Sequence, residues 1–291
     1  MDINVTGHTH LITLIGKPTD HSMSPATHTL AFAKQGIDTV YLSFDIETDQ
    51  VPVVLDAMRA MDGWDGSNVT MPCKQAVIPH LDGLSDAAEL IGAVNVIEKK
   101  QDRKLIGHNT DGAGFMDNLK KHGFDAAGKT MTLVGPGGAG SAILVQAALD
   151  GIKELYVFGR AGGPSYNHAS ELIPRVMEKT GCNITLHDLG DAEDLAACIA
   201  KSDVLCNGSS VGMGEGCTDT PVPADAIKPG IFVADAVYLP RMTQLLKDAE
   251  AKGCTIVGGI GMMNEQAAGS ETIWYGVNPP IEEVAEELRN Q

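Results

Sequence analysis

The sequence predicts an α/β protein of two domains with mainly parallel sheets. Three observations lead there. Short β-rich runs alternate with segments of helical spacing along most of the chain, the pattern of parallel sheets covered by helices. A glycine-rich turn, Gly135-Pro136-Gly137-Gly138-Ala139-Gly140, joins a strand to a helix near the middle. The 291 residues suffice for two cores of ordinary size.

Leu11–Ile15 is an apolar run ending at Gly16 and reads as a first buried strand. The polar loop from Lys17 to Pro25 closes as a helix start, with Ser24 as N-cap and Pro25 at the first helical position. That helix runs to about Gln35 and stops at Gly36. Thr39–Phe44 alternates and is rich in β-formers, Val51–Met61 has helical spacing, and Trp64–Val69 is a third strand. Asn68 and Thr70 share a face, because alternate side chains do. Pro72 suits the first turn of a following helix, which carries Lys74. Leu84–Ile91 reads as helix, and Ala93–Glu98 with Lys104–His108 as an antiparallel hairpin around Gln101-Asp102. His108-Asn109-Thr110-Asp111-Gly112 then opens a linker helix that ends near Gly123. By itself Asp111 is an acid stabilised by a helix N-terminus.

Thr130–Val134 is a strand, followed by the glycine loop, a helix to about Leu149 and a strand at Leu155–Phe158. Gly-x-Gly-x-x-Gly in a strand–turn–helix–strand setting is the Rossmann dinucleotide fingerprint. Gly135 permits the tight turn, Gly137 lets backbone approach a pyrophosphate, and Gly140 allows close helix–strand packing. The helix N-terminus adds N–H donors and positive potential. At the tip of the second strand an acid would hold a ribose 2′-hydroxyl, whereas an arginine accommodates a 2′-phosphate. The tip reads Gly159-Arg160-Ala161-Gly162-Gly163, with no acid until Glu171. NADP is therefore favoured, and NAD stays open because Arg160 can also stack on adenine. Strands at Asn183–His187, Asp203–Cys206 and Ile231–Val233 continue the alternation. The loops Asn207–Met213 and Asp235–Pro240 leave strand carboxyl ends, where such folds bind ligands. Gly258-Gly259-Ile260-Gly261 introduces a helix carrying Glu265 and Gln266, and an acidic helix spans Ile281–Leu288.

Composition narrows the function. Hydrophobic residues are 43% and charged ones 20%, a globular profile. The formal charge of −17 argues against a nucleic-acid or anionic-membrane surface. The six cysteines show neither Cys-x-x-Cys nor zinc-like spacing, and no signal pattern or membrane-length apolar run is present. A cytoplasmic protein with reduced thiols and no metal is expected. His8 and His10 have no other ligands nearby in sequence.

Together the motifs resemble the shikimate dehydrogenase family. They are Gly16-Lys17-Pro18 with His21-Ser22-Met23-Ser24-Pro25, Asn68-Val69-Thr70-Met71-Pro72-Cys73-Lys74, Gly92-Ala93-Val94-Asn95, Asn109-Thr110-Asp111-Gly112 and the glycine loop. Asp235-x-x-Tyr238-x-Pro240-x-x-Thr243 and Gly259-x-Gly261-Met262 with Gln266 complete the series in order. Asn207–Met213 and Met71-Pro72-x-Lys74-Gln75 are most similar to the quinate/shikimate dehydrogenase branch.

The resemblance implies a substrate-binding catalytic domain of residues 1–110 plus 262–291, and a Rossmann domain of residues 111–261. Ser22 and Ser24 would hold the substrate carboxylate, and Thr70, Asn95 and Gln266 the ring hydroxyls, with Tyr238 nearby. Lys74 and Asp111 would be the catalytic pair. Lys74 takes the proton and Asp111 orients it, the reverse assignment remaining open. The dinucleotide would lie on Gly135, Gly137, Gly138, Ala139, Gly140, Arg160, Asn207, Ser209, Val237 and Gly259. The reaction implied is NAD(P)-dependent interconversion of a ring hydroxyl and a ketone on shikimate or quinate. Another cyclitol acid, such as aminoshikimate, and a non-catalytic ligand sensor are the alternatives. The C-terminal helices are the candidate surface for a homodimer.

Three positions depart from the family pattern. Gly159-Arg160-Ala161 stands where NADP-specific members carry Asn-Arg-Thr, and Pro136 replaces an alanine in the glycine loop. Nor does an acid follow Arg160 shortly, as it tends to in members that accept NAD.

Overall fold

The computed structural model describes residues 4–289. The chain divides into two compact units, one of residues up to Thr110 with those from Gln266 onward, the other Asp111–Glu265. The second crossing thus falls at Glu265/Gln266 rather than after Gly261.

The first unit runs β1 (His10–Gly16), α1 (Ser24–Gln35), β2 (Thr39–Asp45), α2 (Val51–Ala60), β3 (Trp64–Val69), α3 (Cys73–Ala76), β4 (Gly83–Leu84), α4 (Asp86–Ile91), β5 (Val96–Lys99) and β6 (Leu105–His108). Its six strands are ordered β2-β1-β3-β5-β6-β4. β1 pairs in parallel with β2 and β3, and β5 lies antiparallel to β3 and β6. Ile15, Val69, Ile97 and Leu105, with Val94 just before β5, pack with Leu55 and Met58 of α2, which explains the apolar runs in those strands.

Local chemistry corrects three boundaries. Met23, already helical, is the N-cap of α1 and makes no side-chain cap bond, so Ser24 is inside the helix. Ser22 Oγ accepts the Ser24 N–H at 3.2 Å, so the capping hydroxyl is Ser22's. Pro72 caps α3 instead of sitting in its first turn. The helix expected from Leu84 starts at Asp86, because Ser85 caps it while Gly83 and Leu84 pair with β6.

The second unit runs α5 (Asp111–Lys121), β7 (Thr130–Val134), α6 (Gly138–Leu149), β8 (Glu154–Gly159), α7 (Pro164–Thr180), β9 (Asn183–Asp188), α8 (Ala192–Lys201), β10 (Val204–Asn207), β11 (Phe232–Asp235), α9 (Gln244–Ala251) and β12 (Thr255–Val257). All its strand pairs are parallel, in the order β12-β11-β10-β7-β8-β9. This is the doubly wound dinucleotide-binding order, and its switch point lies between β7 and β10. α5 approaches α6 closely at Gly112, where a Cβ would meet the Ala142 carbonyl oxygen at 2.2 Å.

The chain finishes with α10 (Gly259–Tyr275) and α11 (Ile281–Arg289). Within the first unit, the later turns of α10 lock onto α1 and β2. Glu271, fully buried, accepts from His28 Nδ1 at 2.7 Å and from Gln35 Nε2 at 2.9 Å. The His28 ring stacks on Tyr41 at 4.8 Å, with Trp274 edge-on at 5.7 Å. α11 lays Ile281, Val284 and Leu288 on Leu30 and Ala31, and Lys34 bridges Glu283 and Glu287 at 2.8 and 2.9 Å. Its apolar side is therefore turned inward, and the exposed face is acidic. Among the described residues, no helix is long and apolar enough to cross a membrane.

Candidate active site

In the first unit, the expected substrate residues gather at the carboxyl ends of β1 and β3. Gly16 ends β1 against Thr70, where a Cβ would lie 2.4 Å from Thr70 Cγ2 and 2.8 Å from the Met71 carbonyl oxygen. Only glycine lets the two strand ends approach this closely. The Thr70 N–H donates to the Ile15 carbonyl at 2.9 Å, and the Lys17 N–H to that of Met71 at 2.8 Å. The loop that carries Ser22 and Ser24 is thereby anchored beside the corner that carries Thr70 and Lys74. Lys74 is half-buried on α3, and its carbonyl accepts the Val94 N–H at 2.9 Å, which sets Asn95 next to it in the backbone. Asn95 is 1% exposed, and its amide is oriented by Thr110, donating to Oγ1 at 3.0 Å and accepting the N–H at 2.8 Å.

Asn68 braces this corner from below. It accepts from the Tyr41 hydroxyl at 2.7 Å, and its Nδ2 donates to the Asn95 carbonyl at 3.1 Å and to Ser270 Oγ at 3.2 Å. Ser270 Oγ in turn donates to the Gln266 carbonyl at 3.0 Å, so the same network fixes the turn of α10 that bears Gln266. Tyr41 was not singled out by sequence reasoning. It is buried, hydrogen-bonded to Ser24 as well as Asn68, and burial pushes its phenol far up, so it stays a neutral donor. The alternation of β2, which turns Tyr41 inward, was the signal that could have found it. Cys73, beside Lys74, is a core residue whose thiol is pushed up by burial and then by the charge of Glu47.

In the second unit, Asp111 is the first residue of α5 and is half-buried. The glycine loop has the geometry of an anion cradle. Gly135 has φ +85°, and its N–H donates to the Phe158 carbonyl at 2.8 Å. Gly137 is the N-cap of α6 and brings no capping side chain, while a Cβ on Gly138 would meet nothing within 4 Å. The first N–H groups of α6 thus have no capping side chain, an arrangement that suits a pyrophosphate. Gly140 is packed, since a Cβ there would lie 1.9 Å from the Gly135 carbonyl oxygen. These residues fit a dinucleotide.

The β10 loop closes on the glycine loop from the other side of the switch point. A Cβ on Gly135 would lie 2.4 Å from Ser209 Cβ, and one on Gly208 2.6 Å from Gly140 Cα. Asn207 is fully buried and organises this loop, accepting from Ser209 N and Oγ at 3.0 and 2.7 Å and donating to Val211 O and Asp235 Oδ1 at 3.2 and 2.9 Å. Its side chain acts as a brace. Asp235, buried at the end of β11, also accepts from Thr243 Oγ1 at 2.7 Å and the Val237 N–H at 2.9 Å. Desolvation pushes its carboxyl up, against these donors. The loop so held presents Tyr238, 44% exposed, beside buried Val237. Gly259 fits under the same loop, where a Cβ would lie 2.5 Å from the Ala236 carbonyl oxygen.

At the tip of β8, Arg160 is exposed. Two of the departures from the family pattern, Gly159 and Pro136, prove to be linked. A Cβ on Gly159 would lie 3.0 and 3.1 Å from Cγ and Cδ of Pro136. The proline ring fills the place a side chain at position 159 would need.

Among the described residues, one group of metal-capable side chains, His187, Asp194 and Cys198, lies on β9 and α8. The ring nitrogens of His187 are hydrogen-bonded to Asp194 and Thr185, each at 2.6 Å, which ties that strand to that helix.

Comparison with known proteins agrees with this layout. Residues 14–97 match the family described as the shikimate dehydrogenase substrate binding domain. The chain is 44% identical over 287 residues to a shikimate dehydrogenase (NADP(+)) of Listeria monocytogenes, covering 98% of this chain and 97% of the relative. It is 38% identical to a quinate/shikimate dehydrogenase of Escherichia coli, covering 97% of each. A crystal structure of shikimate 5-dehydrogenase from Listeria monocytogenes, in complex with shikimate and NAD, superposes with a TM-score of 0.94 at 42% identity, covering 99% of both chains. With both units folded as the motifs require and the likeness running nearly end to end, this chain belongs to the shikimate dehydrogenase family.

Proposed function

We propose that the protein is an NAD(P)-dependent oxidoreductase that interconverts shikimate and 3-dehydroshikimate, with quinate as a second substrate. The observation that carries the reading is the corner at the end of β3, where Thr70, Lys74 and Asn95 are held together by backbone bonds and by the Asn68 brace. The hydroxyls of Ser22 and Ser24 lie beside it and suit a carboxylate. Thr70, Asn95 and Gln266 suit ring hydroxyls, and Tyr238 borders the same substrate.

A bound nicotinamide dinucleotide supplies the hydride acceptor or donor. The chain must supply the rest. Oxidation of a secondary alcohol releases a hydroxyl proton, which needs a positioned acceptor. Lys74 takes that role and Asp111 orients it. Asn95, its amide fixed by Thr110, offers a preset contact that needs no reordering when substrate arrives. The glycine loop, Arg160, the Asn207–Ser209 loop, Val237 and Gly259 hold the dinucleotide, with NADP the main cofactor and NAD the second.

Steady-state turnover of shikimate and quinate with each dinucleotide tests the assignment. Lys74→Ala should lose about 10²–10⁴-fold in kcat while shikimate still binds. Near-normal turnover would remove Lys74 from the chemistry, and no turnover by the wild type with either acid would favour the ligand-sensor alternative. The thiols of the described cysteines are all unpaired, consistent with a cytoplasmic location. Any homodimer must use a surface other than the apolar side of α11, and light scattering would detect it.

A further inference from the structure

No acid follows Arg160 closely in the sequence, but the fold supplies one from the neighbouring strand. Gly159 at the end of β8 pairs with Asp188 at the end of β9. Asp188 Oδ1 accepts the Ala161 N–H at 3.1 Å and the Gly190 N–H at 3.1 Å. The Arg160–Gly163 segment is a tight turn, closed by the Gly163 N–H on the Arg160 carbonyl at 2.9 Å with Gly162 at φ +72°. An exposed carboxylate therefore stands within this turn, on the backbone donor that follows Arg160. The Gly190 and then the Ala161 N–H hold its carboxyl below the usual range, so it is anionic at neutral pH.

In a dinucleotide-binding fold the tip of the second strand faces the adenosine ribose. A 2′-phosphate there would seek Arg160 and the turn's N–H groups. It would find the Ala161 N–H already donated and a like charge beside it. A ribose 2′-hydroxyl meets no such opposition. We infer that Asp188 is a cofactor-specificity residue, whose carboxylate opposes the attraction of Arg160 for a 2′-phosphate and so keeps NAD competitive with NADP. This rests on the dinucleotide role proposed for the second unit.

Asp188→Asn tests it in the full chain, because the amide oxygen can still accept both N–H groups while the charge is gone. Affinities of the free protein for NADP+ and NAD+ would be measured by calorimetry, alongside kcat/KM for each with shikimate. The NADP-to-NAD ratio should rise about tenfold in both measurements, as expected for removing one like charge near the surface. Asp188→Ala, which removes the acceptor too, should also raise the ratio while weakening both cofactors through the loosened turn. An unchanged ratio in Asp188→Asn, or equal losses for the two cofactors, would assign Asp188 to turn structure alone and overturn the inference. Wild-type protein that binds neither dinucleotide would overturn the underlying reading and the inference with it.

Discussion

Pro136 and Gly159 should behave as a coupled pair, and the size of the coupling follows from the packing. Gly159→Ala builds a methyl group 3.0 and 3.1 Å from two ring carbons of Pro136 and 3.4 Å from Tyr166 Cδ2. Carbon atoms rest at about 3.5–4.0 Å, so roughly 0.5 Å must be found in a buried place. Overpacking of this kind costs about 1–3 kcal/mol. Replacing a strand glycine returns about 0.5–1 kcal/mol of backbone entropy, since the φ of Gly159 is not one that disfavours a side chain. The net loss is about 1 kcal/mol, or a fall of roughly 2–4 °C in melting temperature. In a Pro136→Ala background both ring carbons are gone, and the same substitution should be neutral or stabilising. Thermal unfolding of the wild type, both single variants and the double variant gives the interaction energy, expected at about 1–2 kcal/mol. Additivity to within about 0.5 kcal/mol would refute the argument. It follows that Gly159→Asn alone should not restore the Asn-Arg-Thr tip.

Other consequences can be checked separately. Glu271→Ala leaves His28 and Gln35 without their shared acceptor in a buried site, so urea unfolding should show a loss of roughly 3 kcal/mol; a loss under 1 kcal/mol would mean that solvent replaces the carboxylate. Burial lowers the pKa of His108 below its ordinary 6.5, against the opposing pull of Glu98. The unfolded chain then takes up the proton first, so stability should fall as pH drops below about 6.5 towards the lowered folded value. His108→Gln should flatten that slope in urea midpoints measured across the window, and an unaltered slope would show that another group titrates there.

Much of the fold could be read from the sequence because its signals are local. The glycine loop announces itself by spacing, and β7 has the bounds that its apolar run predicts. The corner from Asn68 to Lys74 was legible for the same reason, since a strand end, a proline and a lysine follow one another directly. What escaped depends on which strands lie side by side. Asp188 is 27 positions from Ala161, and only the β8–β9 pairing brings it to the turn. Tyr41 reaches Asn68 through the order of β2, β1 and β3. The capping role expected of Ser24 falls to Ser22 because Met23 is the N-cap, in a conformation that no side-chain pattern signals.

The Asn68 brace also bears on the order in which the protein is made. Its partners come from β2, from the segment before β5 and from Ser270 near the far end of the sequence. A nascent chain can emit all of β1 to β6 and still lack the residues that finish this corner. Ser270 reaches it only after the whole dinucleotide-type unit has been synthesised. Domains ordinarily fold in the order they leave the ribosome. Here the first unit to appear is the last to be completed, so this corner is finished only after the second unit has been made.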